Sequence, residues 1–161
     1  MKTLFLSALL TCVLALPGGA QEAVFLIRHA EKEMGDDPAL TEAGRIRATR
    51  WALMLEQAGI NAVITTDARR TQETGGIIAE ALDLPMGEID RRDIAGLIDL
   101  MSFDHEEDRV LVVAHRETIP SILSALGLFD AVSIAEDDFA NLFTVTGLAT
   151  DAPVLVHQRM P

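Results

Sequence analysis

Val110-Leu111-Val112-Val113-Ala114 is the feature that most restricts what this chain can fold into. Five consecutive apolar residues at strand length leave no polar alternate to face water. A strand of that kind is stable only with cover on both faces of its sheet. Val24-Phe25-Leu26-Ile27 repeats the pattern, and Asn61-Ala62-Val63-Ile64-Thr65 reads as a third strand. Longer amphipathic segments lie between them. Strand-helix alternation with two-sided apolar strands implies an α/β domain, a three-layer sandwich with a mostly parallel central sheet flanked by helices.

The helices are marked by their ends and their periodicity. Thr41 is placed to cap a helix over Glu42 to about Ala58, with Gly59 as its stop. Ala48, Trp51, Ala52, Leu55 and Ala58 share one face of it at helical spacing. Arg70 to Leu82 and Asp93 to Ser102 read as further helices, and Met86 to Asp90 as an edge strand between them. Thr118 is expected to cap a helix running to about Leu126, because Pro120 is tolerated only in a first turn. Asn141 to Thr146 and Val154 to Gln158 close the chain as strands.

Residues 1–20 read as a separate unit. Met1-Lys2 gives a positive start, Thr3 to Leu16 is a nearly continuous apolar run, and Pro17-Gly18-Gly19-Ala20 supplies small residues for cleavage. This is the three-part pattern of a secretory signal peptide, with an uncleaved anchor as the alternative. Thr11 before Cys12 is a poor context for lipidation. The expected mature domain is therefore 21–161, in the periplasm or secreted. Cleavage removes Lys2 and no acid, taking the formal charge from −12 to −13. Cys12, the only cysteine, leaves as well, so disulfides and thiolate chemistry are excluded from the mature domain. That charge argues against nucleic acid and anionic membrane as partners. A monomer without stable membrane insertion after cleavage is expected.

In parallel sheets ligands bind beyond the carboxyl ends of the strands. Arg28-His29 follows the first strand, Thr65-Thr66-Asp67-Ala68-Arg69-Arg70 the second, and His115-Arg116 the Val110 strand. Two imidazoles and several guanidinium groups thus converge on one sheet edge. Guanidinium binds phosphate oxygens bidentately and stays charged, while imidazole is nucleophile, acid or base near neutral pH. The amides that open the helix after Thr118 are also expected to face an anion. His105, in a charged turn, and His157, in the last strand, look incidental. No metal-ligand spacing and no nucleotide loop is present, so neither metal nor cofactor is expected.

The motifs Val24-Phe25-Leu26-Ile27-Arg28-His29-Ala30-Glu31-Lys32, Leu40-Thr41-Glu42-Ala43-Gly44, Thr65 through Thr74, and Val112-Val113-Ala114-His115 occur in order. Asp138-Phe139-Ala140-Asn141-Leu142-Phe143 follows. Together they resemble the histidine phosphatase superfamily, with its phosphoglycerate mutase-like fold, in a small branch without a large cap insertion. The resemblance runs over residues 23 to 159.

It implies a phosphate monoester hydrolase that forms a phosphohistidine on His29. Arg28 and Arg70 would hold the phosphoryl oxygens and His115 would hydrogen-bond the phosphoryl group. Of the adjacent arginines Arg70 is preferred, because the family's arginine precedes the Thr71-x-x-Thr74 pattern; Arg69 is read as a surface or rim residue. The chain departs from the family after the second histidine, where Arg116 and Glu117 stand. The Asp that donates a proton in the acid-phosphatase branch is missing, and no clear match to the mutase acid exists. Glu117, Asp90 and Glu31 are the positional candidates for proton donor. Arg116 is a candidate to bind a second anionic group of the substrate, or is simply solvated. The expected partner is a small phosphorylated molecule or a phosphorylated surface glycan or lipid. Two alternatives stand: a phosphohistidine phosphatase acting on a protein, and a non-catalytic phospholigand-binding protein.

Overall fold

A computed structural model of the chain describes residues 22–129, 132–148, 150 and 152–161. The expected signal segment lies outside the described residues. The elements alternate as the apolar runs require: β1 (Ala23–Arg28), α1 (Glu42–Leu55), β2 (Ala62–Thr66), α2 (Arg69–Leu82), β3 (Met86–Ile89), α3 (Ile94–Phe103), β4 (Arg109–Ala114), α4 (Ile119–Ala125), β5 (Asn141–Thr146) and β6 (Val154–Arg159). One six-stranded sheet is formed in the order β3-β2-β4-β1-β5-β6. The first four of these are parallel, while β5 and β6 are antiparallel.

The side-chain alternation of β4 explains its sequence. Val110, Val112 and Ala114 face one layer with Leu97, Met101, Ile119, Ile122 and Leu123 of α3 and α4. Leu111 and Val113 face the other, with Trp51 and Leu55 of α1 and Ile78 of α2. Strand β4, in the middle of the parallel set, is therefore buried on both sides, and a continuous apolar run is the only composition that fits. At the edge, β3 is largely exposed and has Gly87 and Glu88 in its middle, as an edge strand tolerates.

Helix ends follow local chemistry. The Thr41 hydroxyl accepts the Gly44 amide at 3.0 Å, capping α1. Helix α1 is one turn shorter than its periodicity predicts, ending at Leu55. Asp93 accepts the Gly96 amide at 2.8 Å and is the cap of α3 rather than its first residue. Thr118 makes no side-chain cap for α4. Its hydroxyl lies instead against the backbone of His115, accepting the amide at 3.2 Å.

Candidate active site

The parallel strands deliver their last residues to one edge. In the order of the sheet, Arg91 follows β3, Thr66 and the start of α2 follow β2, His115 and Arg116 follow β4, and Arg28 ends β1 with His29 next. Arg28, His29, Thr66 and His115 are all buried, although each is polar. Burial of four polar groups side by side is costly unless each is hydrogen-bonded, and their bonds define the site.

The imidazole of His29 faces the carbonyl oxygen of Ala30 at 2.8 Å through Nδ1. A carbonyl only accepts, so Nδ1 carries the proton and Nε2 keeps its lone pair. Burial, then the charges of Arg70, His115 and Arg28, push the His29 pKa down to about 3, against the Ala30 bond that favours the cation. At neutral pH His29 is thus a neutral imidazole with a defined nucleophilic nitrogen. The His115 ring lies edge-on to it, with centroids 5.5 Å apart.

His115 is fixed at both nitrogens. Nδ1 is 3.1 Å from Nη2 of Arg70, and Nε2 is 2.9 Å from the Thr66 hydroxyl. Thr66 in turn meets the Thr71 hydroxyl at 2.8 Å, and Thr71 donates to the Ala68 carbonyl at 2.6 Å. Burial and the nearby charges of Arg70 and Arg91 lower the His115 pKa to about 4.

Arg28 is held from the far side by the segment that precedes β5. Its Nη1 donates to the carbonyls of Ala135 at 3.2 Å, Glu136 at 2.7 Å and Asp138 at 3.1 Å, and its guanidinium carbon lies 3.9 Å from the Phe139 ring centre. That segment is braced by Arg159, which donates to both carboxylate oxygens of Asp138 at 2.7 and 3.1 Å. Nε of Arg28 and Nε of Arg70 are buried without a hydrogen-bond partner among the described residues. Burial lowers the pKa of both guanidinium groups, as does a neighbouring arginine in each case: Arg116 for Arg28, Arg91 for Arg70.

The remaining candidates separate clearly. Arg69 points away to Glu73 at 2.8 Å and is exposed. Glu31 is bound by Arg47, whose Nε reaches its oxygens at 2.8 and 2.9 Å. Burial works to raise its pKa, but the Arg47 bond, its own backbone amide and the charges of Arg47 and Arg28 together hold it below the usual range. Asp90 accepts the Arg92 amide at 2.7 Å. Glu117 pairs with Arg116 at 3.1 Å, and its charge reaches Arg28, Arg70 and His115. Burial opposes ionisation of Glu117, but its own backbone amide and Arg116 prevail and lower its pKa. The opening amides of α4 face no anion: those of Thr118 and Ile119 both donate to the His115 carbonyl, at 3.1 and 3.0 Å. The seven-residue helix starts too close behind that carbonyl to leave them free.

His105 is less solvated than its charged turn implies, since it pairs with Asp108 at 2.8 Å and is only partly exposed. His157 has partners that the sequence did not show: it meets Asn141 at 2.8 Å and stacks on Phe143. Four groups of the site escaped sequence reasoning. Thr66 and Phe139 lay inside motifs but without an assigned task. Asp37 lies 3.9 Å from Arg70 and accepts the Arg69 amide at 3.0 Å. Arg91 is fastened to both oxygens of Asp67, at 3.0 and 3.1 Å. The position of Arg91 directly after an edge strand was the available signal. Among the described residues no group of three or more His, Cys, Asp or Glu side chains is arranged to hold a metal ion.

The motifs at these strand ends have counterparts in known proteins. Residues 24–94, which carry Arg28, His29 and Arg70, match the model of the histidine phosphatase superfamily (branch 1). This match supports the histidine phosphatase superfamily. Members of that superfamily are phosphatases or mutases. A curated relative, the probable phosphoglycerate mutase GpmB of Proteus mirabilis (strain HI4320), is 33% identical over 93 residues. The aligned stretch covers 46% of this chain and 43% of that relative, so the chain spans less than half of it. A mycobacterial glucosyl-3-phosphoglycerate phosphatase is similar in structure, with a TM-score of 0.69 at 14% identity, over 87% of this chain and 99% of that one. YhfR of Bacillus stearothermophilus has a TM-score of 0.64 at 17% identity, over 76% and 90% of the two chains. The α/β architecture is that of the phosphoglycerate mutase-like proteins.

Proposed function

We propose that the protein is a phosphatase that hydrolyses phosphate monoesters through a phosphohistidine on His29. The observation that carries this reading is the pairing of a neutral, tautomer-fixed imidazole with the buried Arg28 and the partly buried Arg70, each with an Nε–H unpartnered among the described residues. A phosphoryl group is the natural acceptor for such donors, since it offers several oxygens and a full negative charge. Nε2 of His29 attacks phosphorus and the ester oxygen leaves. Arg28 and Arg70 hold the equatorial oxygens as charge shifts, His115 keeps the Arg70 guanidinium in place through Nδ1, and water then cleaves the P–N bond. Catalysis of this type is positioning plus electrostatic stabilisation.

Glu117 is the acid best placed to protonate the leaving oxygen. It is the one of the three positional candidates whose charge reaches Arg28, Arg70 and His115 together. Hydrolysis is favoured over mutase activity because the sequence has no clear match to the mutase acid and lacks the insertions of that branch. The N-terminal pattern supports action outside the cytoplasm, on a small phosphate ester or a phosphorylated glycan or lipid.

The test is phosphate release by the purified protein from p-nitrophenyl phosphate and a set of alkyl phosphates, beside His29→Ala. Release that depends on His29, with an acid-labile and base-stable phosphoryl adduct absent from the variant, is the expected result. Wild-type release no greater than that of the variant on every ester would sink the reading.

A further inference from the structure

The arginines around the pocket are not equally committed. On the β3 side, Arg91 gives two donors to the two oxygens of Asp67, and Arg70 faces both His115 and Asp37. Each cation there already has its carboxylate. On the β1 side, Arg28 is enclosed by three carbonyls and Phe139. Arg116 differs from all three. It stands directly after His115, its side chain is 35% exposed, and its partner is the neighbouring Glu117, itself 67% exposed. An exposed ion pair between adjacent side chains is weak and readily exchanged. The charge of Arg116 is nonetheless felt by Arg28 inside the pocket.

A second cation kept beside the phosphate-binding arginines, against their mutual repulsion and in a chain of formal charge −12, needs a reason. A substrate with only a phosphate group gives none, because Arg28 and Arg70 already flank the phosphoryl position. A substrate with a second negative group does. Its phosphate would lie between Arg28 and Arg70, and the second group would replace Glu117 on Arg116. Arginine suits this task because its planar fork meets carboxylate or phosphate through two parallel bonds.

We infer that Arg116 is a specificity residue that selects phosphate esters carrying a second anionic group, a carboxylate or another phosphate, close to the transferred phosphate. This rests on the phosphate-pocket reading above. It also gives Glu117 its release: once the substrate's anion holds Arg116, the carboxyl group loses its partner next to a gathering negative charge, which favours its protonated form.

Binding separates the two readings without requiring turnover. Calorimetry on the intact protein compares methyl phosphate, which has one anionic group, with phosphoglycolate, which adds a carboxylate. The wild type is expected to prefer phosphoglycolate by tenfold or more, with the preference shrinking as salt rises. Arg116→Gln should reduce the preference to threefold or less, and Arg116→Lys should restore part of it. Methyl phosphate binding without a preference in the wild type overturns the role of Arg116 and leaves the pocket standing. A preference kept in Arg116→Gln does the same. Binding of neither ligand by the wild type overturns both readings. Emission from Trp51, buried in the core, reports whether each variant is folded.

Discussion

Arg70 directs Nη2 at Nδ1 of His115 from 3.1 Å, and this single contact fixes the protonation state of the second histidine. Guanidinium has donors only, so Nδ1 is the acceptor and the ring proton sits on Nε2, pointing at Thr66. Protonation of Nδ1 would set two donors against each other. The resulting site holds two neutral imidazoles among arginines, which is the state that nucleophilic attack on a phosphate ester requires.

The acid stability of the protein follows from those two rings. Their folded pKa values, about 3 for His29 and about 4 for His115, lie below the ordinary 6.5. Between pH 6.5 and 4 the unfolded chain takes up protons that the folded chain refuses, so the stability they contribute is complete above 6.5 and falls as pH drops. The loss approaches about 1.4 kcal/mol per pH unit for each ring between about pH 5.5 and its folded pKa. Urea unfolding followed by Trp51 emission should show lower stability at pH 5 than at pH 7, and a shallower dependence in His115→Asn. NMR should show His29 and His115 still neutral at pH 5. Equal stability at both pH values would refute this.

Thr66 holds His115 and is held by Thr71. Thr66→Val leaves a buried ring N–H unsatisfied, at about 1–3 kcal/mol. The expected result is a lower Tm and a lower kcat, while Thr66→Ser keeps most of both. A valine variant as active and stable as the serine variant would show that the hydroxyl is dispensable.

Phe139 lies against the Arg28 guanidinium and 6.1 Å from the His29 ring. Phe139→Leu keeps apolar cover but loses the ring face, worth roughly 0.5–2 kcal/mol at a desolvated cation. Phosphate binding should weaken by a few-fold up to about 30-fold, read as the inhibition constant of inorganic phosphate. No change would mean that the three carbonyls alone position Arg28.

Glu117→Gln tests the proton donor by its dependence on leaving group. An alkoxide leaves poorly without a proton, whereas p-nitrophenolate leaves readily. General acid catalysis is typically worth about 10²–10⁴-fold. The loss in kcat/KM on an alkyl phosphate should exceed that on p-nitrophenyl phosphate by about 100-fold. Equal losses on the two esters would remove Glu117 from that role.

The residues that sequence reasoning found are those whose neighbours in the chain announce them. Continuous apolar runs set β1 and β4 inside a covered sheet, and the residues directly after them, Arg28, His29 and His115, had to emerge at one edge. The cap of α1 was legible for the same reason, since Thr41 bonds to an amide three residues away. Thr118 misled because its hydroxyl had a nearer partner in the His115 backbone.

What the chain alone determined, then, is the sheet and the four groups at its edge, because periodicity and strand ends are local. Only the tertiary structure decided how those groups are tuned. The bonds of His115 to Thr66 and Arg70, of Arg28 to the carbonyls before β5, and of Arg91 to Asp67 span about 20 to 110 positions in the chain. Proton placement and pKa depend on which donors and charges surround a buried ring, and folding alone brings those together.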